Sequence, residues 1–431
     1  MNLFHSRIRG RAWSALLVLI LAAAACSAQS IGPVIEVPNP PNVAAQQSKP
    51  YVVLVSLDGF RYDYATRYGA KNLLALARRG ASAPKGMIPC YPSVTFPNHY
   101  TIVTGLYPEH HGIVANNFYD PARKERYSYT DLETTRDGSW YGGTPLWVLA
   151  EQQGMRSASF FWPASEAEIQ GKRPSYYLNY DDKFPDERRV DQVLAWLRLP
   201  AEQRPHFITL YYSNVDHAGH VYGPDAPETA EAVRHVDDMI GKLVAGLDTL
   251  HLPVDLFVVS DHGMEVEQGD WITLEKFADL SNFVTIGPLL YPNREDDAEK
   301  AYRELGGASN KFEVYRRANF PPALHYDANP RSGDPIVLPT GPYSIRAREP
   351  GLNGNEITPS RGVHGYDPRT MPTMRAVFFA AGPDIRVGVI ISPFENVNLY
   401  PLIAKVLGLQ IGPIDGKLRV LQGILTKASP H

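Results

Sequence analysis

The feature that most limits the possible folds is a set of short apolar runs, widely spaced along the chain and ended by polar residues. They occupy residues 51–57, 206–212, 254–260 and 374–380. Runs of this length that lack polar alternation are typical of strands buried on both faces of a sheet. The sequence therefore predicts a sheet that is covered on two sides.

Segments with apolar residues at helical spacing lie between these strands, at 145–153, 187–197 and 228–250. Strands that alternate with helices predict an α/β fold with a mostly parallel central sheet and helices on both faces. The stretch 294–349 is richer in Pro, Arg and Asn. We interpret it as a small α+β excursion packed on the main sheet within a single catalytic domain, residues 50–425.

The N-terminus has the pattern of an export signal over residues 1–28. Three arginines precede the apolar run 12–25, and small residues surround Cys26. The run is too short for a confident membrane span, although an uncleaved anchor or an ordinary helix are alternatives. Cleavage near Ala28 would release a soluble periplasmic or secreted protein, whereas cleavage before Cys26 would leave a lipid anchor. Residues 29–49 have the composition of a flexible linker.

Charge and cysteine content narrow the possible functions further. The formal net charge of −4 gives no indication of a nucleic-acid-binding surface. After the predicted signal only Cys90 remains, so no intrachain disulfide is possible in the mature protein. We expect a monomer whose stability comes from its core and from bound metals.

Acidic and histidine side chains follow the predicted strands, where α/β enzymes place their sites. These candidate metal ligands are Asp58, Asp216, His220, Asp261, His262 and, later in the chain, His364. Carboxylate and imidazole groups are common zinc ligands. Each of these signals alone has a structural alternative. Asp261 could cap a helix, and the segment 216–220 could be a polar surface loop. His217 in that segment is a second possible ligand beside His220.

Taken together, these residues favour a metal site. Clustered carboxylates and imidazoles would repel or stay unsatisfied, and two divalent ions would neutralise them and clamp a phosphoryl group. Thr95 is the candidate nucleophile, because Pro97 predicts a helix start that would place Thr95 at a helix N-terminus, where anions bind. The alternative is that Thr95 or Ser93 only caps the helix.

Several longer motifs resemble the nucleotide pyrophosphatase/phosphodiesterase family of the alkaline phosphatase superfamily. They are TFPNHYTIVTGLYPE at 95–109, FFWP at 160–163, GHVYGP at 219–224 and SDHGM at 260–264. The resemblance extends from about residue 52 to 409, and the chain is most similar to a bacterial, single-domain member. It implies an alkaline-phosphatase-like core that hydrolyses nucleotide diester and pyrophosphate bonds and releases nucleoside 5'-monophosphates.

The resemblance also implies a role for each candidate residue. Asp216, His220 and His364 would hold one Zn²⁺. Asp58, Asp261 and His262 would hold the other, with Thr95 bridging to it as the nucleophile that forms a threonyl-phosphate intermediate. The Asn116 amide and the Phe96 backbone N–H would donate to a phosphate oxygen.

Nucleotide-hydrolysing members of the family carry an insertion that the loop 163–186 resembles in position, and this resemblance implies a nucleotide pocket. Phe96 and a tyrosine from this loop, Tyr180 in the first place or Tyr177, would sandwich the base. A phosphomonoesterase or phosphonate hydrolase of the same superfamily and a non-catalytic nucleotide-binding exported protein are the alternatives. The presence of all the expected ligands disfavours the non-catalytic protein. A phosphomonoesterase would need an arginine or lysine to bind the terminal phosphate, and none occurs at a motif position. The natural nucleotide and the identity of the metal stay open.

Overall fold

A computed structural model describes residues 34–349 and 360–426. The predicted export signal, Cys26 and the first part of the predicted linker lie outside these residues. Within the described part of the chain, no helix combines the length and the apolarity that crossing a membrane requires.

The strands range from two to seven residues. In chain order they are β1 (Ile35–Glu36), β2 (Tyr51–Leu57), β3 (Ala81–Ser82), β4 (Met87–Ile88), β5 (Asn117–Asp120), β6 (Glu125–Ser128), β7 (Ser157–Phe160), β8 (Tyr176–Leu178), β9 (Phe207–Tyr212), β10 (Val254–Val259), β11 (Glu265–Val266), β12 (Ile272–Thr273), β13 (Phe283–Ile286), β14 (Leu289–Pro292), β15 (Phe312–Tyr315), β16 (Ile336–Pro339), β17 (Ile345–Arg346), β18 (Gly362–Val363), β19 (Phe378–Ala381), β20 (Val389–Ile390) and β21 (Phe394–Glu395).

The α-helices range from a single turn to 22 residues. In chain order they are α1 (Tyr64–Arg67), α2 (Lys71–Arg79), α3 (Thr95–Thr104), α4 (Pro108–His111), α5 (Leu132–Thr135), α6 (Leu146–Gln152), α7 (Asp186–Leu197), α8 (Asn214–Tyr222), α9 (Pro227–Asp248), α10 (Glu295–Leu305) and α11 (Leu399–Leu407). The three helices predicted from the sequence correspond to α6, α7 and α9.

The central sheet has the strand order β1-β8-β7-β9-β2-β10-β19-β3-β20. Its middle is parallel, as predicted, because β8, β7, β9, β2 and β10 all run in one direction. β19 is antiparallel to β10, with Phe378 opposite Val259. The chain thus re-enters the sheet at the carboxyl end of β10 after a long excursion, and no crossover is needed. The sheet is therefore mixed towards this edge.

The largely apolar character of β2 reflects burial on both faces of the sheet. Val52 and Leu54 belong to one hydrophobic cluster, to which α3, α6 and α11 contribute. Val53 and Val55 point to the opposite cluster, which includes residues of α2, α7 and α9. Because neighbouring side chains alternate between two apolar layers, the strand is apolar except for Tyr51 at its start and the buried Ser56 near its carboxyl end. The predicted helices on both faces are confirmed.

The α+β excursion begins earlier than predicted. It has its own hydrophobic cluster, which runs from Ile272 to Ala347 rather than from residue 294. The reason is a long-range pairing, in which β12 lies beside β17 with Ile272 opposite Ile345. Such a pairing leaves no local periodicity from which a boundary could be predicted. The excursion contacts β5 through β13, and Phe320, Tyr326 and Ile336 belong to the same hydrophobic cluster as Val52 and Leu54 of the central sheet.

Two segments that the sequence predicted as a linker and a loop form part of the sheet. β8, inside the predicted insertion loop 163–186, pairs with β7. Ile35, inside the predicted linker, lies opposite Tyr177 of β8. The Asn42 side chain accepts the N–H of Arg156 at 2.6 Å and donates to backbone carbonyls near residue 204, the closer at 2.7 Å. Residues 34–49 therefore differ from the predicted spacer because backbone and amide hydrogen bonds fasten them to the domain.

The buried Asp255 on β10 should make the free energy of unfolding depend on pH. Its side chain is buried, Oδ1 accepts the N–H of Asp384 at 3.0 Å, and Oδ2 has no hydrogen-bond partner among the described residues. Burial, with a contribution from the charge of Asp384, raises the pKa of Asp255 to about 8. The folded state thus holds a proton that the unfolded state releases above about pH 4, so the free energy of unfolding falls as the pH rises from about 4 to about 8.

We expect Asp255→Asn to remove this dependence, because an amide keeps the shape without the ionisation. Denaturant unfolding at about pH 5 and about pH 8 should show a loss on the order of 4 kcal/mol for the wild type and a much smaller loss for the variant. Asp191→Asn at an exposed position of α7 is the control and should behave as the wild type. Equal losses in all three proteins would contradict the assignment.

Candidate active site

The predicted ligands meet at the carboxyl edge of the parallel strands. Asp58 directly follows β2, Asp261 follows β10 after one residue, and Asp216 lies in the first turn of α8, which follows β9. The N–H of Asp216 donates to the carbonyl of Asp58 at 3.0 Å, which holds the two loops together. Gly59 makes this approach possible, because a Cβ on it would lie 2.7 Å from the Asp216 Cα and its φ is +67°.

One group of ligands consists of Asp216, His220 and His364, all within reach of a single ion. The His220 Nε2 lies 3.1 Å from the His364 Nε2 and 3.4 Å from the Asp216 Oδ1. Asp216 and His220 are four residues apart on α8, so they share one face of the helix. His217 is exposed instead. The structure thereby resolves which histidine of this segment faces the site.

Asp58, Asp261 and His262 form the adjoining group. The His262 Nε2 lies 2.9 Å from the Asp261 Oδ2 and 3.6 Å from the Asp58 Oδ1. The imidazole rings of His262 and His364 are stacked with centroids 3.6 Å apart, so the two groups are contiguous. Asp216 is also within ligand distance of Asp58 and His262. All six predicted ligands are therefore brought together.

The unpaired oxygens of this site fit divalent cations. Asp58 Oδ1, Asp216 Oδ1 and Asp261 Oδ2 are buried and accept no well-aligned hydrogen bond among the described residues, although the His262 Nε2 lies 2.9 Å from Asp261 Oδ2. Burial and the negative charges of Asp261 and Asp216 raise the pKa of Asp58 well above its ordinary value. Leaving such groups unpaired is costly, and cations that accept oxygen and imidazole nitrogen would satisfy them.

The histidine rings are oriented so that Nε2 faces the carboxylates. Each Nδ1 lies within hydrogen-bond distance of a backbone carbonyl, namely His220 to Gly362 at 2.8 Å, His364 to Ser93 at 3.0 Å and His262 to Gly263 at 3.0 Å. With Nδ1 donating its proton, Nε2 is free to bind a metal. Burial and the neighbouring His262 lower the pKa of His364 well below its ordinary value, which favours the neutral, ligating ring.

Thr95 is the first residue of α3, as the proline pattern predicted. Its Oγ1 lies 3.4 Å from the His262 Nε2. The hydroxyl is therefore next to the ligand groups and at a helix N-terminus, where unpaired amides and the helix dipole favour a phosphate.

Asn116 and Phe96 contact each other, which modifies the predicted donor pair. The Phe96 N–H donates to the Asn116 Oδ1 at 2.9 Å, so this donor is engaged within the protein. The Asn116 Nδ2 makes no hydrogen bond to another described residue and is left as the free donor of the pair. The family resemblance implied two parallel donors, because a mutual hydrogen bond between them cannot be detected in the sequence.

The predicted base-binding aromatics occupy different surroundings. Tyr180 is 50% exposed and meets Phe161 and Tyr211 edge-on, with ring centroids 5.4 and 6.2 Å away. Phe96 packs against Tyr129 at a centroid distance of 5.7 Å. Tyr177 is partly buried in β8. Tyr180 and Phe96 are thus the better placed of the three for stacking against a ligand.

Two residues next to the ligands were not predicted from the sequence. His99 is buried, lies 3.5 Å from the Asp261 Oδ2 and has its Nε2 2.8 Å from the Ser56 hydroxyl. The Tyr211 hydroxyl donates to the Asp58 Oδ2 at 2.6 Å. The spacing of His99 four residues after Thr95, on the same helix face, was a usable signal. Nothing in the sequence distinguishes Tyr211 from its neighbour Tyr212.

We expect Tyr211→Phe to weaken metal binding by about 10- to 100-fold, because an oriented hydrogen bond to a ligand supports its geometry and charge. Competition with a chelating dye, followed by metal analysis of the protein, measures the change. Tyr212→Phe is the matched control, since its hydroxyl lies 3.4 Å from the Asp186 carbonyl and away from the ligands. Equal affinities in Tyr211→Phe and the wild type would contradict a supporting role.

Known proteins share this sequence pattern and fold. A family model described as type I phosphodiesterase / nucleotide pyrophosphatase matches residues 52–367. An uncharacterized pyrophosphatase/phosphodiesterase of Schizosaccharomyces pombe is 37% identical over 384 residues, which cover 85% of this chain and 78% of that protein. Human ectonucleotide pyrophosphatase/phosphodiesterase family member 1 is 37% identical over 396 residues, 88% of this chain but 42% of that protein. The chain thus spans less than half the length of the human relative.

A solved structure of murine ectonucleotide pyrophosphatase/phosphodiesterase 5, an inactive variant in complex with AMP, covers 88% of this chain and 100% of its own. The TM-score is 0.81 at 28% sequence identity. This likeness confirms the predicted alkaline-phosphatase-like α/β fold. Since the family model matches most of the chain, the protein described here belongs to the type I phosphodiesterase/nucleotide pyrophosphatase family, whose members are hydrolases of phosphodiester bonds.

Proposed function

We propose that this chain hydrolyses nucleotide phosphodiester and pyrophosphate bonds and releases nucleoside 5'-monophosphates, with Thr95 as nucleophile. The observation that carries the proposal is the position of the Thr95 hydroxyl, 3.4 Å from His262 and beside three buried, unpaired carboxylate oxygens. Asp216, His220 and His364 would hold one Zn²⁺, and Asp58, Asp261 and His262 the other. When bound, the two ions would supply positive charge that acidifies a hydroxyl and neutralises charge developing on the phosphoryl group.

The residues of the chain then perform two displacements. Thr95 Oγ1 forms a bond to phosphorus, the bond from phosphorus to the leaving oxygen breaks, and the threonine proton reaches that oxygen through water. Water next cleaves the threonyl-phosphate ester, restores Thr95 and releases the nucleotide. The Asn116 Nδ2 would donate to a non-bridging oxygen in both steps, and one such donor typically contributes about 2.7–4 kcal/mol.

A nucleoside would lie on the side of Phe96 and Tyr180. Both rings are partly accessible, and stacking on an aromatic ring contributes about 1–3 kcal/mol per base without strong base selectivity. The murine relative bound to AMP supports this class of ligand. Tyr177 would contribute by supporting the strand that carries this segment.

Hydrolysis of a nitrophenyl nucleotide diester against nitrophenyl phosphate tests the proposal. We expect a strong preference for the diester, lost with a chelator and regained with Zn²⁺. Preference for the monoester would favour the phosphomonoesterase alternative. No hydrolysis of either compound, with nucleotide binding retained, would favour the non-catalytic alternative.

We also propose that the protein is a monomer exported by a bacterium, to the periplasm or the medium. The signal pattern before Ala28 supports this, as do relatives that are ectoenzymes by name. Intact mass measurement of the mature protein distinguishes a soluble form cleaved near residue 28 from a form lipidated at Cys26. An intact N-terminus would contradict both.

A further inference from the structure

A second binding region adjoins the ligand groups. A cavity of about 590 Å³ begins at His220, His364 and Asn116 and extends between the central domain and the α+β excursion. Its volume is that of a small-molecule site. Its lining includes Val94 and Asn116, which adjoin Phe96, but not Phe96, Tyr177 or Tyr180, the residues proposed for the nucleoside side.

The walls of this cavity, here called the excursion cavity, are mostly aromatic and aliphatic, with polar groups from Asn117, Thr285, Ser332 and Ser344. Its aromatic lining consists of Tyr91, Trp271, Tyr326, Tyr343 and Tyr366. Ile286 and Leu289 enter it from the tip of the β13–β14 hairpin, where they lie opposite each other. Gly287, with a φ of +55°, allows the tight two-residue turn that places them there.

In the described ranges, the lining of the cavity carries no lysine or arginine that could neutralise an anion. Of the described residues that line it, none is Asp, Glu, Lys or Arg, and its ionisable side chains other than tyrosines are His220 and His364 at its mouth. A pyrophosphate or polyphosphate placed deeper would lose its hydration without gaining a cation. An uncharged apolar or aromatic group would instead gain from burial.

We propose that the excursion cavity binds the leaving group of the substrate and selects an uncharged alcohol with an apolar or aromatic body. The inference rests on the proposed function and deepens it. A leaving group must lie on the far side of the phosphorus from Thr95, and the cavity opens beside His220 and His364, whereas the Thr95 hydroxyl lies beside His262 of the other ligand group. The bond that breaks joins phosphorus to the oxygen of this alcohol, which departs protonated. Nucleotide diesters of such alcohols are therefore the preferred class over nucleoside triphosphates.

The test compares the hexyl and methyl esters of AMP. Their alcohols are nearly equal in acidity, so a difference in kcat/KM between the two esters reflects binding of the alkyl group rather than leaving-group chemistry. For the wild type we expect kcat/KM to be about tenfold higher, or more, for the hexyl ester, which requires burial equivalent to about two methylene groups. Ile286→Asp should reduce the hexyl-to-methyl ratio to about one, because a carboxylate in the cavity wall disfavours contact with an alkyl chain. Leu289→Ala should lower the ratio without adding a charge.

Ile390→Asp is the matched control, because Ile390 is 75% exposed and does not line the cavity. It should keep the wild-type ratio. Dissociation constants of the two esters, measured calorimetrically with Thr95→Ala in the presence of Zn²⁺, give the same comparison without turnover. A ratio near one for the wild type by both measurements overturns the proposal, as does a high ratio that neither cavity variant changes. If no ester is hydrolysed, the proposed function fails while the dissociation constants still decide the role of the cavity.

Discussion

Replacing Thr95 with alanine is expected to lower kcat/KM for a nucleotide diester by about 10⁴-fold or more, the scale seen when a catalytic nucleophile is removed. The structure explains why no other group would compensate. Thr95 is the hydroxyl residue at the N-terminus of α3, with its Oγ1 3.4 Å from His262. Its near neighbour Ser93 uses its hydroxyl to donate to the Tyr366 carbonyl at 2.7 Å.

Thr95→Ser is the conservative control. It keeps the hydroxyl but loses the methyl group that restricts χ1, so we expect an intermediate rate because the oxygen is less well positioned. Metal content of both variants should stay close to that of the wild type, since carboxylates and imidazoles supply the other ligands. If a variant lost its metals, its lower activity would reflect damage to the metal site rather than loss of the nucleophile.

Stereochemistry at phosphorus independently tests whether Thr95 or water attacks the substrate. Two successive displacements retain the configuration of a chiral phosphorothioate diester, and one direct attack by water inverts it. Retention, together with an acid-stable phosphoryl adduct found on the peptide carrying Thr95, is the expected result. Inversion, or activity of Thr95→Ala within about tenfold of the wild type, would mean that water attacks the substrate directly.

The sequence predicted the site residues best where acidic residues follow the predicted strands. Asp58, Asp216 and Asp261 could be placed together because parallel strands bring their carboxyl ends to one edge of a sheet. His364 comes from beyond the excursion, next to β18, and no strand periodicity connects it with the others. The sequence offered His364 as a candidate ligand, but its assignment to the same ion as Asp216 and His220 depended on the family resemblance.

Contacts that depend on side-chain direction could not be predicted. Tyr211 and Tyr212 both end the same buried strand, yet one donates to Asp58 and the other points toward α7. The excursion began earlier than predicted because Ile272 pairs with Ile345. Both features arise from long-range packing, which local composition and spacing do not record.

Asp58→Asn is expected to have opposite effects on stability with and without metal. In the metal-free protein the carboxylates of Asp58, Asp216 and Asp261 face one another without hydrogen-bond partners for Asp58 Oδ1, Asp216 Oδ1 and Asp261 Oδ2. An amide at position 58 removes one negative charge, keeps an acceptor for the Tyr211 hydroxyl and adds an N–H that can donate to a neighbouring carboxylate. We therefore expect a gain of about 1 kcal/mol, visible as a rise in Tm of about 2–4 °C.

With Zn²⁺ present the order reverses. Ions that bind only the folded state stabilise it by about 4 kcal/mol per site at a thousandfold excess over Kd. The wild type has all its ligands, so Zn²⁺ raises its free energy of unfolding more than that of the variant. Asp58→Asn loses a charged ligand, binds more weakly and gains less, so its Tm should fall below that of the wild type. Thermal unfolding in chelator and in Zn²⁺ measures both states, and Asp238→Asn, an exposed change of the same charge on α9, should leave both unaffected. A variant that is less stable than the wild type in chelator as well would show that the carboxylates do not repel one another, and would remove the main physical argument for metals at this site.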